Sequence, residues 1–211
     1  MKDAMHSAPI SQRLRALVRS MPRTGITLSE LIQRVGNDGL LILVALLTLV
    51  FLIPVSIPGV STVFGAAILL ISVSRLLRRD LWIPSRLQHR VIGTRKLRPL
   101  LRKALSWLKK IEYVSRPNRI NWLVTDGAMD MINSAALILG AVLLMMPFGL
   151  IPFSNTFPAV AILFLAIGLL QKDGVSVLLG HLSNVLTLVY FGVLIGGGGL
   201  ALREVIERLS N

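Results

Sequence analysis

Of the chain's 211 residues, 54% are hydrophobic and only 16% charged, and residues 39–74, 131–171 and 174–202 hold no Asp, Glu, Lys or Arg at all. A soluble domain is about one quarter charged, so that composition excludes one, and the lack of cysteine excludes a disulfide framework, a thiol nucleophile, a CxxC redox pair and a cysteine zinc site. The net charge of +13 sits outside the charge-free stretches with only Trp82, Trp107, Tyr113 and Trp122 interleaved, too few aromatic groups for a nucleic-acid surface.

What remains is an all-α integral membrane protein, read here as a single membrane domain over residues 1–211. Residues 1–38 form its basic N-terminal part. Within them, Ile10, Leu14, Leu17, Val18 and Met21 share one side of a helix and Arg13, Arg15 and Arg19 lie elsewhere, the pattern of an interfacial helix. A short second helix is expected from the Thr27/Glu30 pair, a capping-box spacing, through Leu31, Ile32 and Val35 to Gly36. No cleavable signal is expected, because the first apolar run begins only at residue 39, behind a long polar segment.

As one helix, residues 39–74 would extend about 54 Å at ~1.5 Å per residue, well beyond the ~30 Å hydrocarbon core of a bilayer. The run must therefore fold back, and the break is written in IPVSIPG, where Pro54 and Pro58 remove backbone donors and Gly59 permits a sharp turn. Each arm, 39–53 and 59–74, is shorter than the ~20 residues of a usual span. The basic segment that follows, residues 81–130, contains an amphipathic helix over 97–114 with Leu97, Leu100, Leu101, Ala104, Leu105, Leu108 and Ile111 on one face. Arg98, Arg102, Lys103, Lys109 and Lys110 surround that face, which rests either on anionic lipid or on the cytoplasmic ends of the membrane helices. Residues 131–173 repeat the hairpin design, with arms 131–146 and 159–171 around the break PFGLIPFSNTFP. The last run, 174–202, is long enough for a single tilted span whose GGGG at 196–199 reads as a flexible or closely packed helix end. Residues 75–130 carry fourteen Lys or Arg against four acids while both breaks are uncharged, so the positive-inside rule places 1–38 and 75–130 in the cytoplasm.

The two hairpins, 39–80 and 131–173, read as copies. A shift of 93 residues pairs Pro54 with Pro147, Ser61 with Ser154, Phe64 with Phe157, Ala66 with Ala159 and Asp80 with Asp173. Short Gly/Pro-broken segments at matching places in two halves of a membrane protein point to a transporter-like architecture with its site at the breaks. Whether the hairpins re-enter the membrane or cross it, and whether the copies run parallel or inverted, both stay open at this level.

Three segments carry a family resemblance: PGVSTVFGAAILLISVSRLLRRDLWIP at 58–84, EYVSRPNR at 112–119 and PFSNTFPAVAILFLAIGLLQKDG at 152–174. In combination they resemble the ExoD exopolysaccharide-synthesis family over nearly the whole chain from residue 27 onward. The resemblance implies a multi-pass protein of the bacterial inner membrane linked to exopolysaccharide production. It supplies no reaction, substrate or catalytic residue.

The candidate substrate-binding residues are those of the breaks: Ser56, Pro58, Gly59, Ser61 and Thr62 in the first, Ser154, Asn155 and Thr156 in the second. Unwound backbone at membrane depth must be satisfied by protein or water, and helix N-termini at Ser61 and Thr156 would suit an anionic group such as a phosphate. Asp126, Asp130 and Asn133, at i, i+4 and i+7, could hold a coupling ion; alternatively the two aspartates cap a helix start in the headgroup zone. In the last run Ser176, Gly180, Asn184 and Thr187 form a stripe beside His181 that suits helix packing. Asp80 and Asp173 are expected to pair with Arg79 and Lys172. No hydrolase triad, paired-carboxylate site or phosphate-binding loop stands out, and His6, His89 and His181 have no metal-ligand spacing, so no enzyme, cofactor or metal is expected. The expected partners are membrane lipid and an anionic or lipid-linked substrate, with a homodimer also open. The leading functional expectation is a carrier for such an intermediate or for a coupling ion; the alternative is a non-transporting scaffold that binds anionic lipid or a polysaccharide-synthesis partner.

Overall fold

The computed structural model describes residues 26–52, 59–79, 91–92, 119–125, 127–148 and 151–210, together with Arg15 and Ser106. The expected helices at 10–21 and 97–114 lie outside the described residues, as do Ser56, Pro58, Asp80 and Asp126.

Helix α1 (Leu28–Leu49) starts directly after Thr27 and continues as a 3-10 turn, Val50–Leu52. The expected end of a separate short helix at Gly36 does not occur, because α1 runs unbroken through Gly36, Asn37, Asp38 and Gly39. An interior glycine costs about 1 kcal/mol relative to alanine, which burial of Leu41, Val44 and Ala45 one turn later offsets. Ahead of α1, Ile26–Thr27 pairs antiparallel with Val91–Ile92, a two-residue ladder that the sequence reading did not anticipate. Helix α2 (Val60–Leu76) begins after Gly59, whose φ of 83° supplies the turn. A 3-10 turn, Asn121–Val124, precedes α3 (Ala128–Met145); α4 (Thr156–Gln171) carries Pro158 in its first turn, where a missing N–H costs nothing; α5 (Gly174–Ser210) closes the chain.

Helices α1 to α4 form a ring in which α2 packs mainly on α3 and α4 mainly on α1, and α5 lies against α4 and α3. Direction follows from two contacts. Near the breaks, a side chain placed on Gly65 of α2 would meet Met145 and the carbonyl of Ala141, whereas at the other end Arg75 pairs with Asp130. Helices α2 and α3 are therefore antiparallel, and both breaks lie at one end of the bundle, the tip end, with residues 75–79, 119–125, 127–130 and 171–174 at the base. The ring interior is closed by Val44, Ile68, Leu137, Leu144, Ile162 and Leu165, all nearly inaccessible. Two of its buried hydroxyls are satisfied locally: Thr48 donates to the carbonyl of Val44 and Ser72 to that of Ile68.

Close approach by small residues sets the α5 seam. A Cβ on Gly180 would stand 2.9 Å from the Leu165 nitrogen, and Asn184 donates 2.9 Å to the carbonyl of Ala136, so this stripe packs helix against helix. Beyond the tips the expected helix end at 196–199 is corrected: α5 stays helical to Ser210, and around Gly196, Gly197 and Gly198 nothing lies within 4 Å of an added side chain. Among the described residues two helices, Ala128–Met145 and Gly174–Gly198, are long and apolar enough to cross a membrane, and Gly39–Leu52, Ser61–Leu76 and Thr156–Gln171 are shorter apolar helices.

Candidate functional site

The described break residues of both hairpins lie at the tip end. In the first, Gly59 and Thr62 are exposed and Ser61 is buried in the opening turn of α2. Phe51 and Phe64 meet edge to face at 5.8 Å across the two arms, and Val50–Leu52 touches α4 of the second hairpin. In the second, Ser154 and Asn155 are buried and Thr156 is half-buried. Neither α2 nor α4 has a side-chain hydrogen bond capping its N-terminus; in α4 the Thr156 and Phe157 N–H groups already bond to the Phe153 carbonyl and Pro158 has none, so the open backbone donors at the tip are those of α2.

Ser154 has a different task from the one its pairing with Ser61 suggested. Its Oγ lies 2.7 Å from the carbonyl of Phe148 and 2.8 Å from that of Ile151, so it braces the turn. Two contacts from α5 close the same turn: the Tyr190 hydroxyl donates 2.7 Å to the carbonyl of Pro152, and Phe191 stacks on Phe148 at 5.0 Å. Phe157 also meets Tyr190 at 5.0 Å. Nothing in local spacing announces this role for Tyr190, although a phenol inside an uncharged run is a signal, since its hydroxyl needs a partner.

The polar set at the start of α3 divides between two seams. Asp130 pairs with Arg75 of α2, while the buried Asn133 donates 2.7 Å to the carbonyl of Leu123 and its Oδ1 stands 2.9 Å from His181 Nε2 on α5. One brace joins α3 to α2 and the other joins it to α5. At the base, Asp173 caps α5, accepting from the Val175 N–H at 3.1 Å and the Ser176 hydroxyl at 2.8 Å. Lys172 stands exposed beside it in a left-handed conformation. Among the described residues no group of three His, Asp or Glu side chains is placed to hold a metal ion.

A family model described as Exopolysaccharide synthesis, ExoD matches residues 10–193. The chain belongs to the ExoD family. It is 49% identical over 185 residues to Protein ExoD of Rhizobium meliloti (strain 1021), covering 88% of this chain and 77% of that relative. An uncharacterized protein of Synechocystis sp. is 29% identical over 185 residues, covering 79% of this chain and 78% of its own. No solved structure matches the chain. Family membership and two apolar helices together mark this ExoD-family chain as a membrane protein associated with exopolysaccharide synthesis.

Proposed function

We propose that this ExoD-family protein sits in the bacterial inner membrane and handles an anionic, lipid-linked intermediate of exopolysaccharide synthesis in the manner of a carrier built from two repeats. The observation that carries this reading is the tip end, where the α2 N-terminus is uncapped with Ser61 buried beside it, and Asn155 is buried at the same end of an otherwise apolar bundle. Backbone N–H groups at such termini attract a phosphate without a cation beside them. The tip has both an anion-binding character and an apolar surround, as a lipid-linked anion needs.

Three features support the repeat. The first arms stop at Leu52 and Met145, which stand in the 93-residue register. Each second arm closes on a basic residue in the left-handed region, Arg78 or Lys172, with a bond from the next residue back across the turn, Arg79 to Ser74 and Asp173 to Gly168. Each first arm packs on the other copy's second arm, the exchange that a pseudo-twofold axis along the bundle would produce.

Replacing Ser61 or Asn155 by Leu is expected to abolish most exopolysaccharide output in a strain that depends on this protein, with the amount of folded protein in the membrane unchanged. Ser61→Thr should retain output. Full complementation by both leucine variants would remove the tip from the mechanism and leave a scaffold that binds lipid or a synthesis partner. Ser154→Leu is the wrong test of this site, because it unties the turn and lowers folded protein.

Topology gives a second expectation. Reporter fusions within residues 95–103 should be cytoplasmic, on the same side as the base of the bundle, and a fusion at Asn211 should report the opposite side because α5 runs from base to tip and beyond. Both reporters on one side would overturn this orientation.

A further inference from the structure

Among the described residues of the second tip, most backbone N–H groups are bonded within the turn. Pro147, Pro152 and Pro158 have no N–H to satisfy. Those of Phe148, Ile151, Ser154, Thr156 and Phe157 donate to the carbonyls of Met146, Phe148, Ile151 and Phe153. The Ser154 hydroxyl is spent on the carbonyls of Phe148 and Ile151 and the Tyr190 hydroxyl on that of Pro152. What faces outward is apolar: Met146 and Phe153 are 37% and 51% exposed, with Phe148 and Phe157 beside them. A loop in water has no need of such closure, because water satisfies it, whereas backbone at membrane depth requires it.

Length points the same way. From Gly174, docked on Arg119 and Ile120 at the base, to Tyr190 at the tip, α5 rises about 24 Å at ~1.5 Å per residue, and its charge-free run continues about 18 Å further, to Leu202. If the base charges lie at the hydrocarbon boundary, the tip is about 24 Å into a ~30 Å core; if they lie at the outer edge of the headgroups, it is near the middle of a ~40–45 Å bilayer. Both placements bury it. Past the tip, Val193 and Ile195 are 68% and 60% exposed, and a four-glycine segment remains helical with no protein neighbour around Gly196, Gly197 or Gly198. Glycine frays a helix in water but cannot release its backbone into lipid.

We infer that the second tip lies inside the hydrocarbon layer, so that α5 continues past it and the acyl chains of the far leaflet seat on Phe148, Phe153, Phe157 and the overhanging part of α5. This placement goes beyond the functional reading and does not depend on it, since a carrier and a scaffold could share it.

Because the chain has no cysteine, single-cysteine spin labels need no background substitutions. Full-length Phe153→Cys, Met146→Cys and Arg79→Cys proteins, labelled with a nitroxide and reconstituted in phosphatidylethanolamine–phosphatidylglycerol vesicles, would be compared for collision with oxygen and with a water-soluble nickel chelate. The expected result is high oxygen and low nickel accessibility at 153 and 146, with nickel accessibility an order of magnitude below that at 79. Nickel accessibility at 153 and 146 equal to that at 79 would overturn the inference, since the tips would then be loops in water. Low accessibility to both reagents with spin–spin broadening would overturn it too, by showing a second copy where lipid was placed. Leu182→Cys, midway along α5 between base and tip and 63% exposed, supplies the hydrocarbon standard, and the two tip positions are independent, so misfolding of either variant leaves the other to decide.

Discussion

Gly174→Ala is expected to cost the protein most of its folded population, whereas Gly65→Ala, the same single methyl group, is expected to cost distinctly less. At Gly174 the new Cβ would overlap the carbonyl oxygen of Ile120 and stand 2.8 Å from that of Arg119 and 2.9 Å from Ile120 Cβ. These are mostly backbone atoms, and the Gly174 N–H is already bonded to the Arg119 carbonyl at 2.8 Å, so the helix start cannot retreat without losing that bond. Ile120 has no slack to give either, being a β-branched residue already held at φ 48°. Overpacking costs typically about 1–3 kcal/mol, and a rigid obstacle puts this site at or above the top of that range. At Gly65 the nearest obstacle is Met145 Cγ, a side-chain atom that a χ1 change can move, and the Ala141 carbonyl stands back at 3.4 Å, so the cost is smaller than against fixed backbone. Denaturation by SDS in mixed micelles, followed by far-UV circular dichroism, would measure both variants. Equal stability of the two would refute the docking of α5 on the segment before α3.

That docking illustrates which parts of the architecture were open to sequence reasoning. The breaks were legible because proline and glycine punctuate locally, and so was the start of α1 after Thr27, because a capping residue acts on its own turn. The pairing of helices was not. α4 is apolar on all sides, so no face announces its neighbour, and the choice falls to small residues such as Gly65, Gly168 and Gly180 whose meaning appears only once the opposing atoms are known. The candidate ion residues show a finer limit. Spacing placed Asp130 and Asn133 on one helical face, but three residues differ by about 60° around a helix, enough to turn Asp130 into the α2 groove and Asn133 into the α5 groove. Ser154 shares a register with Ser61, yet the second turn is longer and uses the hydroxyl to close itself. A shared register in sequence does not carry a shared role here.

The Arg75–Asp130 pair allows the brace and the ion-coupling readings of Asp130 to be separated. Its side chains are 25% and 19% exposed, so neither charge is fully desolvated, but Arg75 Nε is buried with no partner and the pair joins the base of α2 to that of α3. Removing one partner of a fully buried pair costs about 3–5 kcal/mol, and partial exposure reduces this to about 2 kcal/mol for Arg75→Gln or Asp130→Asn. Replacing both, as in Arg75→Met with Asp130→Leu, removes the orphaned charge and should recover most of the loss, because apolar groups of similar volume often serve as well as an ion pair. Comparing the two single variants with the double in SDS denaturation would give the coupling between them. The decisive measurement is then exopolysaccharide output from the double variant. We expect a stable protein with output near that of the parent, since the pair acts by holding two helices. A stable double variant without output would instead make the Asp130 carboxylate itself part of the mechanism, as an ion-coupling residue requires, and Asp130→Glu should then restore what Asp130→Leu removes.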